Sequence, residues 1–493
     1  MSKYILSIDA GTTGVTIIIF DKNANVIKKE YAEFSQIYPQ PGYVEHDPLE
    51  IWNTTKKLLK KISRVYNNKI HSIGITNQRE TVVLWDKNTG RPIYNAIVWQ
   101  CKRTSERCNE LIKNQYSELI RNKTGLPISS YFSATKIEWI IDNVKGSKSL
   151  IKQKSLLFGT IDTWLIWNLT NKKSHITDHT NASRTMVYNI NSFEWDDELL
   201  ELFNVCKSML PKIIHSTGSF GELELDMFSQ KIPITGVAGD QQAALFGQYG
   251  YNENDTKCTY GTGCFMLTNT GQKKINSNNG LITTVSCNKE GKPAYAIEGS
   301  IFIGGAVIQW LRDELNIIKN AKETENIAKS LNGNDGVYIV PAFTGLGAPY
   351  WDMESKGTIT GLTRGSNAKH LVRSALESIA FQVNDLIKCL NSDLKCEIKT
   401  LRVDGGATAN NFLMQFQSDI SKINIQKPSN IESTALGAAL LSGIGSKYWN
   451  NNNIENLKNK KTNTTYSPEM KAQLRETLLQ EWKKAIKKCL MID

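Results

Sequence analysis

The sequence predicts an α/β chain made of two similar halves that close on a cleft, and three observations carry that prediction. The first is a hairpin at the start of the chain. Tyr4–Ile8 and Val15–Phe20 are apolar, β-branched runs joined by Asp9-Ala-Gly11-Thr12-Thr13-Gly14, which reads as two strands around a glycine-rich turn. The second is the return of this pattern after the polar stretch Gly250–Thr256. Lys257-Cys-Thr-Tyr-Gly261-Thr262-Gly263-Cys-Phe265-Met-Leu267 is again strand, Gly-Thr turn, strand, a short repeat that is weak evidence by itself. The third is Val237-Ala-Gly239-Asp240-Gln241-Gln-Ala-Ala-Leu, where a carboxylate stands between an apolar lead-in and an alanine-rich, helix-like run. Open α/β sheets present reactive groups from that position.

The remaining elements follow in order. Leu49–Tyr66 has a helical pattern with Pro48 at its start, where the missing N–H costs nothing. Ile73–Thr76, Thr81–Trp85 and Leu156–Phe158 are strand candidates, and Ala134–Asn143 fits a helix. Gly250–Thr256 is the expected boundary, dividing the chain into residues 1–250 and 251–493. Beyond it come a helix near Gly304–Glu314, a strand at Val337–Val340 and a long helix near Ala368–Leu390. Leu401-Arg-Val-Asp-Gly405-Gly406 then leads into a helix from Asn410 to Ser421, and Asn450–Asn453 reads as a solvated loop.

At 493 residues the chain is too long for one core. Its 40% hydrophobic and 22% charged content is ordinary for a soluble globular protein. The net charge of +11 would suit an anionic partner. It is diffuse, however, with lysines scattered among asparagines and no basic stripe interleaved with aromatics, so no nucleic-acid partner is expected. The apolar runs are too short to span a bilayer. Met1–Asp9 lacks a small-residue cleavage pattern, so no signal peptide is expected. Nine cysteines, an odd number without a C-x-x-C pair, fit a reduced, cytoplasmic compartment. There is no P-loop, no protein-kinase motif set and no G-x-S-x-G elbow. Residues between His175 and His179 break any H-E-x-x-H reading, and both histidines read as ordinary surface or loop residues.

Three glycine-bearing turns follow apolar strands: Gly11–Gly14, Gly261–Gly263 and Gly405–Gly406. Glycine lets backbone amides approach an anion, and the hydroxyls of Thr12, Thr13 and Thr262 add donors. Each turn alone is also good hairpin chemistry, but together they point to a nucleotide held between two domains. Asp9 ends the first strand, where it can serve Mg²⁺ or simply initiate the turn. Arg79 and Glu80 offer donors and acceptors to a polyol, or form a solvated pair at a strand end. Trp99, Tyr131 and Phe265 can supply an apolar wall, or be core. Asp240 can take a proton from an attacking hydroxyl, or cap its helix.

Over nearly its whole length the chain resembles the FGGY carbohydrate kinases. Tyr131-Phe-Ser-Ala-Thr-Lys136-Ile-Glu-Trp139-Ile-Ile-Asp-Asn143 resembles the family's first signature. Gly357-Thr-Ile-Thr-Gly361-Leu362 followed by His370-Leu-Val-Arg-Ser-Ala-Leu-Glu377 resembles the second. Asn77-Gln-Arg-Glu-Thr81, Gly239-Asp-Gln-Gln-Ala-Ala-Leu245 and Pro341-Ala-Phe-Thr-Gly-Leu-Gly-Ala-Pro-Tyr-Trp351 are similar to its glycerol-phosphorylating members in particular. The resemblance implies two actin-like, ribonuclease H-like domains around a deep cleft for ATP and substrate, with glycerol on the first domain and nucleotide on the second. It implies ATP-dependent conversion of glycerol to sn-glycerol 3-phosphate, by a soluble homodimer or larger homo-oligomer. Arg79, Glu80, Trp99, Tyr131, Asp240, Gln241 and Phe265 would form the glycerol pocket, with Asp240 as base and Asp9 and Asp240 near Mg²⁺. Thr12, Thr13, Gly14 and Thr262 would meet the phosphates, while Gly305, Gln309, Gly406 and Asn410 would line the nucleoside site. Two departures stand out. Gly14 and Thr16 replace the serine and arginine frequent in the family's first phosphate loop. The acidic Glu222–Lys231 replaces the basic, glycine-rich loop of members inhibited by a sugar bisphosphate, so that regulation is not expected.

Overall fold

A computed structural model describes residues 3–352, 354–429, 432–460 and 462–490; Met1 and Ser2, part of the leader reading, lie outside them. Two large sheets organise the chain. The first is built from β1 (Tyr4–Ala10), β2 (Gly14–Phe20), β3 (Val26–Glu33), β4 (Ile70–Asn77) and β5 (Ile232–Gly239), in spatial order 3-2-1-4-5. The second is built from β6 (Thr256–Tyr260), β7 (Cys264–Gly271), β8 (Pro293–Ile301), β9 (Thr400–Asp404) and β10 (Asn424–Pro428), in order 8-7-6-9-10. The pattern is the same in both. Three antiparallel strands lead off, and the first of them pairs parallel with a fourth, which pairs parallel with a fifth. The repeat suspected from two Gly-Thr turns is therefore a duplication of this five-stranded order, which Glu222–Leu223 extends in the first sheet and Ile282–Cys287 and Asn463–Tyr466 extend in the second.

Parallel pairing needs crossover connections, and helices supply them. Pro48–Tyr66 joins β3 to β4, starts behind an Asp47 cap and buries Ile51, Leu58, Leu59 and Ile62. Ala368–Leu394 and Asn411–Ser421 do the same work in the second half. β1, β4 and β5 are almost wholly buried, and so read as continuous apolar runs rather than alternating ones. Ala10, Asn77 and Gly239 lie level at the carboxyl ends of these strands, with Asp9 one residue back and level with Thr76, at the edge where open α/β sheets bind ligands.

One helix is out of sequence register with the halves. Ser433–Gly445 follows β10 but packs against β1, β4, β5 and the helix Asp240–Gly247. The approach is backbone on backbone. A Cβ on Gly74 would lie 2.1 Å from the Ala438 carbonyl oxygen, and one on Gly437 would lie 1.8 Å from that of Ala243. Two sequence readings are corrected here. Asn451–Asn453 open a helix, Asn451–Lys460, because Ile454 and Leu457 bury one face of the segment. His179 is buried at the start of the helix His179–Ala182, with its Nδ1 2.8 Å from the Tyr188 hydroxyl. His175 is in a loop but half-buried, its Nε2 2.8 Å from the Phe158 carbonyl oxygen. Burial lowers both imidazoles to about 4, so they are neutral packing groups.

Candidate active site

Asp240 stands at the end of β5, and its surroundings decide between the two readings of it. Gly239 takes the cap position, and Asp240 is the first helical residue. Among the described residues its Oδ1 accepts a hydrogen bond from the amide of the adjacent Gln241, at 2.7 Å, and from no amide further into the helix, so it is not the helix cap. The carboxylate is 31% exposed and lies 3.3 Å from Arg79 Nε. Gly239 makes this approach possible, since a Cβ there would sit 2.8 Å from the Arg79 Cδ and Cγ atoms.

Arg79 and Glu80 are each only 2% exposed, which removes the solvated-pair reading. Glu80 holds φ at 62°, a region that a branched or long side chain occupies at a cost. Its carbonyl accepts the Ser133 hydroxyl at 2.9 Å, which fixes that turn. Trp99 packs edge-on against Tyr131 and Phe265, with ring centroids 5.5 and 6.4 Å away. The wall is thus made by residues from both halves. Lys136, fully buried, donates 2.8 Å to the Tyr131 carbonyl and 3.3 Å to that of Phe132, and so ties the Tyr131 loop to the helix Ala134–Asn143.

Charged groups that the sequence reading missed lie beneath this layer. Glu298 of β8 accepts from Arg79 Nη1 at 2.6 Å and from Arg79 Nη2 and Arg184 Nη2 at 3.0 Å each. Arg184 Nε donates 2.7 Å to Glu80 Oε1. Lys257 of β6 donates to Gln241 Oε1 and, at 2.8 Å, to the Thr259 hydroxyl. Burial would raise Glu298, yet Arg184 and Arg79 hold it down at about 2. Burial raises Glu80 and Asp240 above the ordinary carboxylate value, against the opposing charges of Arg79 on both and Lys257 on Asp240. An acid inside an apolar strand, as in Tyr295-Ala-Ile-Glu298-Gly, is the signal that could have exposed Glu298, because such a charge must be paired.

Asp9 is pushed up to about 7 by burial, then by the charges of Asp240 and Glu432, with Lys29 opposing. Among the described residues its carboxylate has no side-chain hydrogen bond. Two acidic groups that repel one another in this way suit a divalent cation, and Mg²⁺ commonly takes one or two carboxylates with waters and phosphates.

The two glycine turns are alike, although the first closes over three residues and the second over two. Gly11 N–H donates 3.0 Å to the Gly14 carbonyl, and Gly261 N–H donates 2.9 Å to that of Gly263. Thr13 and Thr262 are exposed, while Thr12 Oγ1 accepts Trp99 Nε1 at 3.1 Å, linking the turn to the aromatic wall. A Cβ on Gly14 would lie 2.6 Å from the Ala32 carbonyl oxygen and 2.8 Å from the Tyr31 ring. β3 therefore excludes a serine at this position. In the second half the turn is braced by Gly305, whose N–H donates 2.8 Å to the Gly261 carbonyl. A Cβ on Gly305 would stand 4.0 Å from that of Ala407, so Gly305 and the Gly406 segment border the same surface. Gln309 lies one turn along the helix Ala306–Asp313 and is exposed. Asn410 is committed to the fold, since it caps the Leu413 amide at 3.0 Å and donates 3.0 Å to Thr324.

Relatives share this whole frame. The profile of the FGGY family of carbohydrate kinases, N-terminal domain, matches residues 4–247, and that of the C-terminal domain matches residues 256–446. A glycerol kinase of Clostridium botulinum (strain 657) is 53% identical, and glycerol kinase 2 of Thermotoga maritima is 52% identical, each over 99% of both chains. The crystal structure of Plasmodium falciparum glycerol kinase with ADP superimposes with a TM-score of 0.93 at 39% identity, covering 99% of each chain. The ligand-bound xylulose kinase of Lactobacillus acidophilus has the same fold at 21% identity, with a TM-score of 0.89 over 99% of this chain and 98% of that one. Among the described residues no helix is long and apolar enough to cross a membrane. With both domain profiles matched in order, and half of its residues shared end to end with kinases of this type, the chain belongs to the FGGY family of carbohydrate kinases.

Proposed function

We propose that the protein transfers the γ-phosphoryl group of ATP directly to glycerol, giving ADP and sn-glycerol 3-phosphate, with Asp240 as base. The observation that carries this reading is the placement of Arg79 Nε 3.3 Å from Asp240 Oδ1, beside Glu80 and under the aromatic wall. A small triol fits such a pocket. Arg79 donates to its hydroxyls, Glu80 and Gln241 accept from them, and Trp99, Tyr131 and Phe265 cover its carbon chain. Asp240 accepts the proton of the attacking hydroxyl late in an in-line displacement, in which positioning and charge stabilisation dominate.

Asp9 and Asp240 would hold Mg²⁺, which when bound offsets charge on the phosphates. Thr12, Thr13, Gly14 and Thr262 offer hydroxyls and amides to those phosphates, and Gly305, Gln309, Gly406 and Asn410 border the nucleoside. In this reading residues 1–250 carry the acceptor and residues 251–493 the nucleotide, so the halves must close on both and exclude competing water. The 53% identity to glycerol kinases end to end supports the acceptor assignment. The proposal extends to a cytoplasmic enzyme, in keeping with nine cysteines without a C-x-x-C pair, that works as a homo-oligomer, for which light scattering should give at least twice the 55.4 kDa chain mass.

The deciding experiment measures ADP release with glycerol, dihydroxyacetone, xylulose and gluconate as acceptors. Glycerol should give the highest kcat/KM. A ketose with a higher value would overturn the assignment.

A further inference from the structure

We propose that Glu298 is a positioning residue of the acceptor pocket, a carboxylate of the second half that orients Arg79 and, through Arg184, Glu80 of the first half. The inference rests on the acceptor reading above and adds to it a dependence of that pocket on the opposite sheet.

Glu298 lies on β8, paired with Leu267 of β7, and its side chain is fully buried. Both of its oxygens are used. Oε2 takes Arg79 Nη1 at 2.6 Å, and Oε1 takes Arg79 Nη2 and Arg184 Nη2 at 3.0 Å. This is the two-pronged guanidinium–carboxylate geometry that fixes the plane of an arginine. Gln242 Oε1 accepts Arg79 Nη1 at 3.2 Å, while its own amide donates 2.9 Å to the Val285 carbonyl of the second half. With both terminal nitrogens held from behind, Arg79 turns only its Nε edge toward Asp240. Arg184 passes the constraint on, because its Nη2 binds Glu298 while its Nε binds Glu80 Oε1 at 2.7 Å.

Removing the Glu298 charge frees the Arg79 Nη groups, and the nearest carboxylates open to them are Glu80 and Asp240, 3.8 and 3.3 Å from Nε. The guanidinium then pairs with the groups that should meet the acceptor. Acceptor binding is lost in consequence, while the nucleotide surface around Gly305 and Gly406 is untouched. A purely structural ion triad behaves otherwise. Its loss lowers the folded fraction, which scales the rate per mole of protein but leaves the KM of the folded fraction unchanged.

The test compares the wild type with Glu298→Gln, and with Arg184→Lys as a second variant that keeps its positive charge but cannot span both carboxylates. Steady-state KM for glycerol and for ATP is read together with the glycerol Kd from calorimetry. Loss of a charged, buried hydrogen-bond pair should raise the glycerol KM and Kd about tenfold or more in Glu298→Gln, with the ATP KM within about twofold. Arg184→Lys should move the same constants in the same direction. Should Glu298→Gln fail to fold, Arg184→Lys decides. An unchanged glycerol KM in a folded variant, or equal rises for both substrates, overturns the proposal. A wild type that does not use glycerol sinks the acceptor reading instead, and the same constants are then read for whichever acceptor it prefers.

Discussion

At the scale of single residues, the site is a set of buried charges moved from their ordinary states by desolvation and by one another. Glu298 sits well below its ordinary value, at about 2 against 4.5, so its stabilising charge is fully present above pH ~4.5 and is lost as pH falls toward 2. Replacing it with glutamine leaves Arg79 and Arg184 without their shared partner, a change that costs about 3–5 kcal/mol in comparable buried pairs. The difference in Tm between wild type and Glu298→Gln should therefore be large at pH 7 and shrink as pH falls from about 4.5 to 2. A difference that stays constant over that range would remove Glu298's charge from the stability of the fold. Most of the residues proposed to touch the acceptor were legible in sequence, because Asn77–Thr81, Gly239–Leu245 and Tyr131–Asn143 are contiguous motifs. Glu298, Arg184 and Lys257 were not. Each is a single charge outside those motifs, and although an acid in an apolar strand flags Glu298 as needing a partner, the partner itself lies 219 positions away.

Among the elements, local pattern foretold part of the framework and passed over others, among them the strands Val26–Glu33 and Pro293–Ile301 and the helix Ile161–Leu169. The hairpin, the helix from Pro48 and the helix Ala134–Asn143 follow from apolar periodicity and turn chemistry, and they stand where expected. The Asn450–Asn453 reading failed because composition was weighed above the Ile454–Leu457 spacing that gives that segment a buried face. No local pattern could place the helix Ser433–Gly445 on the first sheet. Its position is written in glycines that meet only in the folded chain. Gly437 lies against Ala243, Gly74 against Ala438, Gly236 against Ser442 and Gly247 against Ser433. Side chains at this seam would have to displace backbone, so Gly437→Val should destabilise by about 3 kcal/mol or more. Gly365→Ala, which meets nothing closer than 3.8 Å, should change stability little. Equal Tm values for the two variants would contradict the close approach.

For the whole molecule, duplication explains why the working parts come in pairs. Two sheets of one topology bring two matching glycine turns and two sets of parallel strand ends to a common space. The duplicated order itself was only hinted at by the sequence, since the halves share little beyond those turns. The chemistry is not duplicated, however. Asp240 follows β5, whereas the residue after β10 is Ser429, and Asp240 lies 3.3 Å from Arg79 of its own half while the charge of Lys257 from the other half also favours its ionised form. The central claim is that this carboxylate is the base of a direct phosphoryl transfer. Asp240→Asn tests it, with kcat and the glycerol Kd measured on the same preparation. General base catalysis contributes typically ~10²–10⁴-fold, so kcat should fall by at least that order. Because asparagine keeps the size and one acceptor, the glycerol Kd should change far less. A variant with near-normal kcat would contradict the account and leave Asp240 outside the mechanism.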